Sequence, residues 1–515
     1  MTRAKTLMVQ GTASYSGKSL LVTGFCKIFR DMGYRVTPFK SQNMSLNSYV
    51  TRDGGEIARS QTTQAFAAGV EPIVEMNPIL LKPKGDSISQ VVLMGRPYAD
   101  YDAKTYYEEF ALREGLRAVK TAFKKLAEKF DIVVIEGAGS PAEINLYDKE
   151  IVNMRVAELA KSPVILVADI DRGGVFASIV GTLQLLKPRH RRRIQGFVIN
   201  KFRGDESILE PGITELESIT GKRVLGVIPY LSDLALPDED SVVLDERQEK
   251  RDGNIAIGVI RLPRISNFTD FDPLRRYSEV ELRYISKVEE MDSLDALIIP
   301  GTKNTLGDLK WLRERGLDRK IRESPHQGKP VLGICGGYQM LGREIIDERG
   351  IEDDNGGTTI GLGLLDVTTR FDKYEKTTKR IEMFVTRDGP ILPKASGIRF
   401  KGYEIHTGKI DLGKEARPIF KMVSETGGTA DQWEGASSED GLVLGTSIHG
   451  LFENSQILDG FIGFLTRKKG GDERTAGERE LGEPLTQSLE RLTAVMLQKL
   501  DFDRIMRMMG LQESG

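Results

Sequence analysis

The chain is poor in cysteine, with only Cys26 and Cys335 in 515 residues. They fall in different halves, so a disulfide framework is not what organises the fold. A reducing compartment is the expected setting. An excess of either charge is also missing: 73 Lys and Arg stand against 75 Asp and Glu, for a net charge of -2. Such a balance offers no general attraction to nucleic-acid phosphates or an anionic membrane surface. The one basic run, 189–193, is short and reads as a solvated face, with a nucleic-acid role as a weak alternative. No apolar run approaches the ~20 residues needed to cross a bilayer. The opening MTRAKTLMVQGT has no apolar stretch ahead of a cleavage site. A cytoplasmic location is expected. Internal repeats and low-complexity tracts are missing as well.

What remains is an ordinary globular composition, 39% apolar and 29% charged. The length exceeds one compact core, so roughly two to four domains are expected. Strands are predicted at 6–10, 35–39, 132–136, 164–168, 196–200 and 224–228, with helices at 18–32, 57–68, 103–129 and 174–186. Strands separated by helices predict an α/β fold built on a parallel sheet. This gives a first domain over 1–235. The charged, Pro- and Gly-containing stretch 236–252 reads as a linker. Alternation restarts at 255–260, 296–299 and 331–334 and runs to 442–448, a second α/β domain over 253–455. Residues 456–515 read as a C-terminal helical extension.

Residues 8–19, MVQGTASYSGKS, leave a strand and enter a helix. Gly17, Lys18 and Ser19 form the end of a P-loop. In such a loop backbone N–H groups wrap phosphate oxygens, the lysine offsets charge and the hydroxyl reaches Mg²⁺. Gly11 stands one residue further from Gly17 than the common spacing, and Thr12 takes the usual glycine place. Mg²⁺ needs further hard oxygen ligands. Glu136, ending an apolar strand, is one candidate. Asp53 in TRDGGEI is the other, with a helix-capping carboxylate as its alternative. Lys40, closing the second strand, can steady a transferring phosphoryl group, although an exposed strand-end lysine has the same appearance. Asn200 ends a strand and is a candidate for the adenine base.

GICGG at 333–337 follows an apolar run and precedes a helix. Such a G-x-C-x-G elbow lifts the thiol clear of the sheet and sets it at a helix N-terminus, where thiolate is favoured. Cys26 fits the other common role of cysteine, a small buried hydrophobe. A thiolate nucleophile needs a histidine partner. Of His190, His326, His406 and His449, the choice is His449, which follows a strand and precedes Gly450; His406 is the runner-up. The turn PGTK at 300–303 ends another strand, so the N–H groups of Gly301 and Gly336 are candidates for an oxyanion hole.

At these residues a resemblance appears. GICGGYQMLG with a downstream SIHG is similar to class I glutamine amidotransferases. The front half resembles the dethiobiotin-synthetase-like P-loop enzymes, which also lengthen the loop by one residue. FKSQNMSLN (39–47), MNPILLKP (76–83), EGAGSPAE (136–143), DIDRGG (169–174), NKFRGD (200–205) and GYEIH (402–406) together resemble the cobyric acid synthases of cobalamin synthesis, over almost the whole chain.

The resemblance implies ATP- and Mg²⁺-dependent amidation of several peripheral carboxylates of adenosylcobyrinic acid a,c-diamide. Glutamine is the nitrogen donor and adenosylcobyric acid the product. Likeness to the P-loop enzymes also suggests a homodimer. One departure is plain. Class I amidotransferases carry glutamate two residues after the histidine; here Leu451 stands there, and Glu453 is not given the role. What orients His449 stays open. The alternatives are a cobyrinic acid a,c-diamide synthase and, in another class, a P-loop partitioning ATPase with an inactive amidotransferase-like tail.

Overall fold

A computed structural model of the chain describes residues 4–85, 87–232, 234–237, 244, 254–352, 356–372, 375–426, 428–471 and 485–511. Of the expected linker at 236–252, all but 236, 237 and 244 lie outside the described residues.

Six strands make the first sheet, in the order Arg223–Pro229, Ile194–Phe202, Val164–Asp169, Lys5–Gly11, Ile132–Glu136, Val36–Phe39. All pair in parallel. Helices cover both faces, which is why the central strands are near-continuous apolar runs. The parallel register brings Gly11, Phe39, Glu136, Asp169 and Asn200 to one carboxyl edge. Ligands of open α/β sheets bind at that edge. Between the second strand and helix Ala103–Thr105, the chain adds a four-stranded sheet of Gln42–Met44, Ile79–Pro83, Ile88–Leu93 and Arg96–Asp102. The sequence reading placed no strands there.

The second sheet has ten strands. Val280–Ile285, Ile255–Ile260, Ala296–Ile299, Val331–Ile334 and Val443–Thr446 are parallel. Gly428–Ser437, Arg417–Glu425, Lys376–Val385, Arg399–Thr407 and Ile448–His449 continue the sheet in antiparallel pairs. The strand expected over 442–448 is broken at Ser447. Its first part pairs with Val331–Ile334, and Ile448–His449 pairs with Tyr403 and Glu404.

The C-terminal region divides between the two cores. Helix Ser455–Lys468 packs Ile457, Leu458, Phe461 and Ile462 into the second core, so that core extends beyond the expected boundary at 455. Helices Leu485–Lys499 and Phe502–Met509 return to the first sheet, where Leu492, Met496 and Met509 join Leu21, Val22, Phe25 and Phe29 of helix Lys18–Asp31. Gly24 permits the approach, since a Cβ there would lie 2.1 Å from Met496 Sδ. Cys26 is fully buried in the same cluster. Burial pushes its thiol up, away from reactivity. Among the described residues no helix is long and apolar enough to cross a membrane.

Leu492 is fully buried between the P-loop helix and the C-terminal helix. Leu492→Ala is expected to cost about 2–5 kcal/mol. Urea unfolding followed by nucleotide protection of the first domain should show a lowered midpoint, with that of the second domain unchanged.

Candidate active sites

Gly17 turns the phosphate loop into helix Lys18–Asp31. Lys18 Nζ lies back across the loop, donating to the carbonyls of Ala13 (2.9 Å) and Gly139 (3.2 Å). Ser19 Oγ donates to Glu136 Oε1 at 2.9 Å, and Lys40 Nζ donates to the same oxygen at 2.8 Å. Gln64 Nε2 holds Glu136 Oε2 at 2.5 Å. Glu136 is 1% exposed, and a buried carboxylate persists only when paired and hydrogen-bonded. A hydroxyl and a carboxylate oxygen are thus adjacent beside two lysines. This donor set fits Mg²⁺ whose other ligands are phosphate oxygens and water. Among the described residues no group of three or more His, Cys, Asp or Glu could hold a metal by itself.

Three further expected residues are placed as follows. Asp53 is exposed at the tip of the hairpin joining Ser48–Val50 to Glu56–Ala58, and the next residue's Cβ position lies 3.1 Å from Thr378 O of the second domain. It does not cap a helix, because helix Arg59–Ala67 begins after Ala58 without a side-chain cap. Asn200 directs its amide into the protein: Nδ2 donates to Ser16 O at 2.9 Å, so it braces the loop from beneath. Thr12 donates its N–H to Val167 O at 2.9 Å, so that N–H is already engaged in the sheet.

In the second domain Cys335 sits between strand Val331–Ile334 and helix Gly336–Leu341, with φ 54° and ψ -110°. A non-glycine residue there stores strain of about 1–3 kcal/mol, and surroundings must impose it. Cys335 N donates to Thr446 O at 2.8 Å, and a Cβ on Gly337 would come 2.0 Å from Ile299 O. Only glycine permits that contact. Gly301, in the short strand Gly301–Thr302, has its Cβ position 3.4 Å from His449 Cε1, and that of Gly336 is 3.0 Å from Thr302 N. Both expected oxyanion residues therefore border the cysteine site.

Cys335 Sγ donates to Ile405 O at 3.6 Å, and Cys335 is one of the groups that act electrostatically on His449. Its Nδ1 donates to Asp270 Oδ2 at 2.6 Å, and Gly450 N donates to Asp270 Oδ1 at 3.2 Å. Asp270 lies in the 3₁₀ helix Phe268–Arg276 and is the orienting residue that sequence reasoning missed. Tyr403 stacks on the imidazole, centroids 5.3 Å apart. Burial pushes the imidazole down, but Asp270 and Cys335 outweigh it, and its pKa is pushed up to about 10. His449 is 1% and Cys335 6% exposed, so both side chains are screened from bulk water.

The break that redirects His449 is pinned by Glu434, which accepts from Thr446 Oγ1 and Ser447 N, both at 2.6 Å. Burial and then Glu404 push its carboxyl up to about 7.

The other histidines stand elsewhere. His406 Nδ1 contacts Gly408 O at 3.1 Å, and burial pushes its pKa down. His326 is exposed at a helix end. His190 is buried against Tyr147 and Glu158, so the run 189–193 is not a uniformly solvated face.

A family profile described as the CobQ/CobB/MinD/ParA nucleotide binding domain matches residues 7–243. One described as a CobB/CobQ-like glutamine amidotransferase domain matches 256–457. The chain is 48% identical over 512 residues to the cobyric acid synthase of Pelotomaculum thermopropionicum, covering 99% of this chain and 97% of that one. It is 48% identical over 514 residues to that of Desulforamulus reducens, covering 100% and 99%. It is 50% identical over 474 residues to that of Dehalococcoides mccartyi strain CBDB1, covering 92% and 93%.

Asp270→Asn keeps the shape but removes the charge that holds the His449 proton. Glutamine hydrolysis is expected to fall by about 10²-fold or more. The pH at which iodoacetamide alkylation of Cys335 rises should also move. The sign follows from a raised histidine pKa. The pair's stabilisation is complete below about pH 6.5 and is lost as pH rises through about 10. The variant should lack that alkaline loss in thermal melts. His449→Ala should slow glutamine hydrolysis far more than His406→Ala, measured as glutamate release.

Proposed function

The chain belongs to the cobyric acid synthase family, glutamine-dependent carbon–nitrogen ligases that amidate corrinoid carboxylates; on that premise we propose that it converts adenosylcobyrinic acid a,c-diamide into adenosylcobyric acid at two separated centres, with ATP as the activating substrate. The observation that carries this reading is one chain holding both a buried Cys335–His449–Asp270 array and a Lys18–Ser19–Glu136 phosphate pocket.

A carboxylate resists ammonia because it is anionic and has a poor leaving group. Transfer of the γ-phosphoryl group of ATP to a corrinoid carboxylate makes an acyl phosphate and releases ADP, which removes both obstacles. Lys18 and Lys40 offset the developing negative charge. When bound at Ser19 and Glu136, Mg²⁺ supplies further neutralisation of the phosphates.

In the second centre the Cys335 thiolate attacks the side-chain amide carbon of glutamine. Gly301 and Gly336 direct N–H groups at the oxyanion. His449 takes the thiol proton as general base and then, as general acid, donates it to the departing nitrogen, and ammonia leaves. His449 then takes a proton from the water that cleaves the glutamyl thioester. Ammonia attacks the acyl phosphate and inorganic phosphate departs. A partitioning ATPase with an inactive tail would have no use for a Cys335–His449–Asp270 array held in this order.

Cys335→Ala is expected to lose glutamine-driven amidation and keep ammonium-driven amidation. Lys18→Ala should lose both by about 10²-fold or more. Product mass, which counts the amides added to a corrinoid diamide, checks the substrate. Glutamine use by Cys335→Ala would remove the cysteine from the mechanism.

A further inference from the structure

Two residues fix the His449 ring, Asp270 at Nδ1 and Tyr403 on its face. Each is held from the other domain by one short segment, residues 46–49. Asn267 opens the 3₁₀ helix that carries Asp270. It is 3% exposed and adopts a left-handed backbone, φ 49° and ψ 39°. Its Oδ1 accepts from Ser48 N at 2.9 Å, and its N–H donates to Leu46 O at 3.3 Å. Asp270 N donates to Asn267 O at 3.0 Å, so the turn passes this anchoring directly to the carboxylate. One residue on, the Tyr49 ring meets Tyr403 edge-on, with centroids 5.0 Å apart.

The segment is itself well seated. Arg59 and Arg380 flank Tyr49 at 5.3 and 5.1 Å from its centroid. Arg59 Nη2 donates to Glu453 at 2.7 Å, and Arg380 Nε donates to Val50 O at 2.7 Å. Upstream, the chain runs within a few residues to Lys40, which is bonded to Glu136 in the phosphate pocket.

We propose that residues 46–49 of the nucleotide-binding domain form a latch that positions the Asp270–His449 couple through Asn267 and Tyr403, so that glutamine hydrolysis depends on the seating of this segment. The inference rests on the reading of Cys335 and His449 as the glutaminase centre. Asn267 and Tyr49 are positioning residues and touch no reacting atom. A loss of alignment lowers turnover with little change in glutamine affinity, because Cys335, Gly301 and Gly336, the residues assigned to the substrate, belong to other elements. It leaves the synthetase chemistry intact when ammonium is supplied.

The test uses the full-length enzyme and compares glutamine-driven with ammonium-driven amidation of a corrinoid diamide. Asn267→Gly keeps the left-handed backbone without strain but removes the acceptor. It is expected to lower glutamine-driven kcat by about 10- to 100-fold. KM for glutamine and the ammonium-driven rate should stay within about twofold, differences too small to reflect lost alignment. Asn267→Asp, which tolerates the same backbone and retains the acceptor, should restore most of the loss. Tyr49→Leu should reproduce the selective loss on a smaller scale, and it decides the matter if Asn267→Gly does not fold. An unchanged ratio of the two rates overturns the latch. So does a parallel fall of both in folded protein, or a failure of Asn267→Asp to restore activity. Continued glutamine use by a Cys335→Ala control would instead overturn the glutaminase reading beneath it.

Discussion

A carboxylate facing an imidazole inside the protein governs the second active site. Asp270 and His449 lie 2.6 Å apart with almost no access to water. Burial alone would strip the histidine of its proton, and a negative neighbour reverses that outcome. Removing one partner of such a pair leaves an uncompensated buried charge, which costs about 3–5 kcal/mol. The surrounding features follow from that requirement. Ser447 breaks a strand so that His449 can leave the parallel register, Glu434 pins the break, and the glycines around Cys335 let the elbow press against the neighbouring strand.

The phosphate pocket obeys the same logic with the signs exchanged. Glu136 is a buried anion shared by Ser19, Lys40 and Gln64. Helix Arg59–Ala67, which supplies Gln64, has little apolar character. Its Ser60, Gln61, Thr62 and Gln64 are buried all the same, and Asn43 bonds both Ser60 and Gln61. A buried polar network of this kind is stable only when its members find partners, and then it specifies one arrangement. Its far end is Arg59, which reaches Glu453 in the second domain, two residues beyond Leu451. The two chemistries are therefore joined by paired polar groups as well as by apolar packing.

Beyond the second domain the chain returns to the first. Helices Leu485–Lys499 and Phe502–Met509 pack on the P-loop helix, so the second domain is held by chain on both sides. Phe25, Phe29 and Phe502 form a ring cluster with centroids 5.7–6.5 Å apart. Such packing stiffens the helix that presents Lys18 and Ser19 to the phosphates.

Local pattern was enough for the parallel strands and for the two strand-to-helix turns that carry Lys18 and Cys335. Each rests on periodicity or on spacing within about a dozen residues, where neighbours in sequence are neighbours in space. The small sheet around Ile79–Pro83 escaped notice because its strands are short and mixed in polarity. Asp270 escaped because it stands 179 residues from His449 and beside Asp272, with nothing local to tell the two apart. Sequence alone determined which chemical groups the chain carries and which strand ends present them, since backbone periodicity and turn stereochemistry are local. Only the tertiary structure decided which carboxylate holds His449, which one meets Ser19, and how residues 46–49 reach the other domain, because burial and charge pairing depend on residues far apart in the chain.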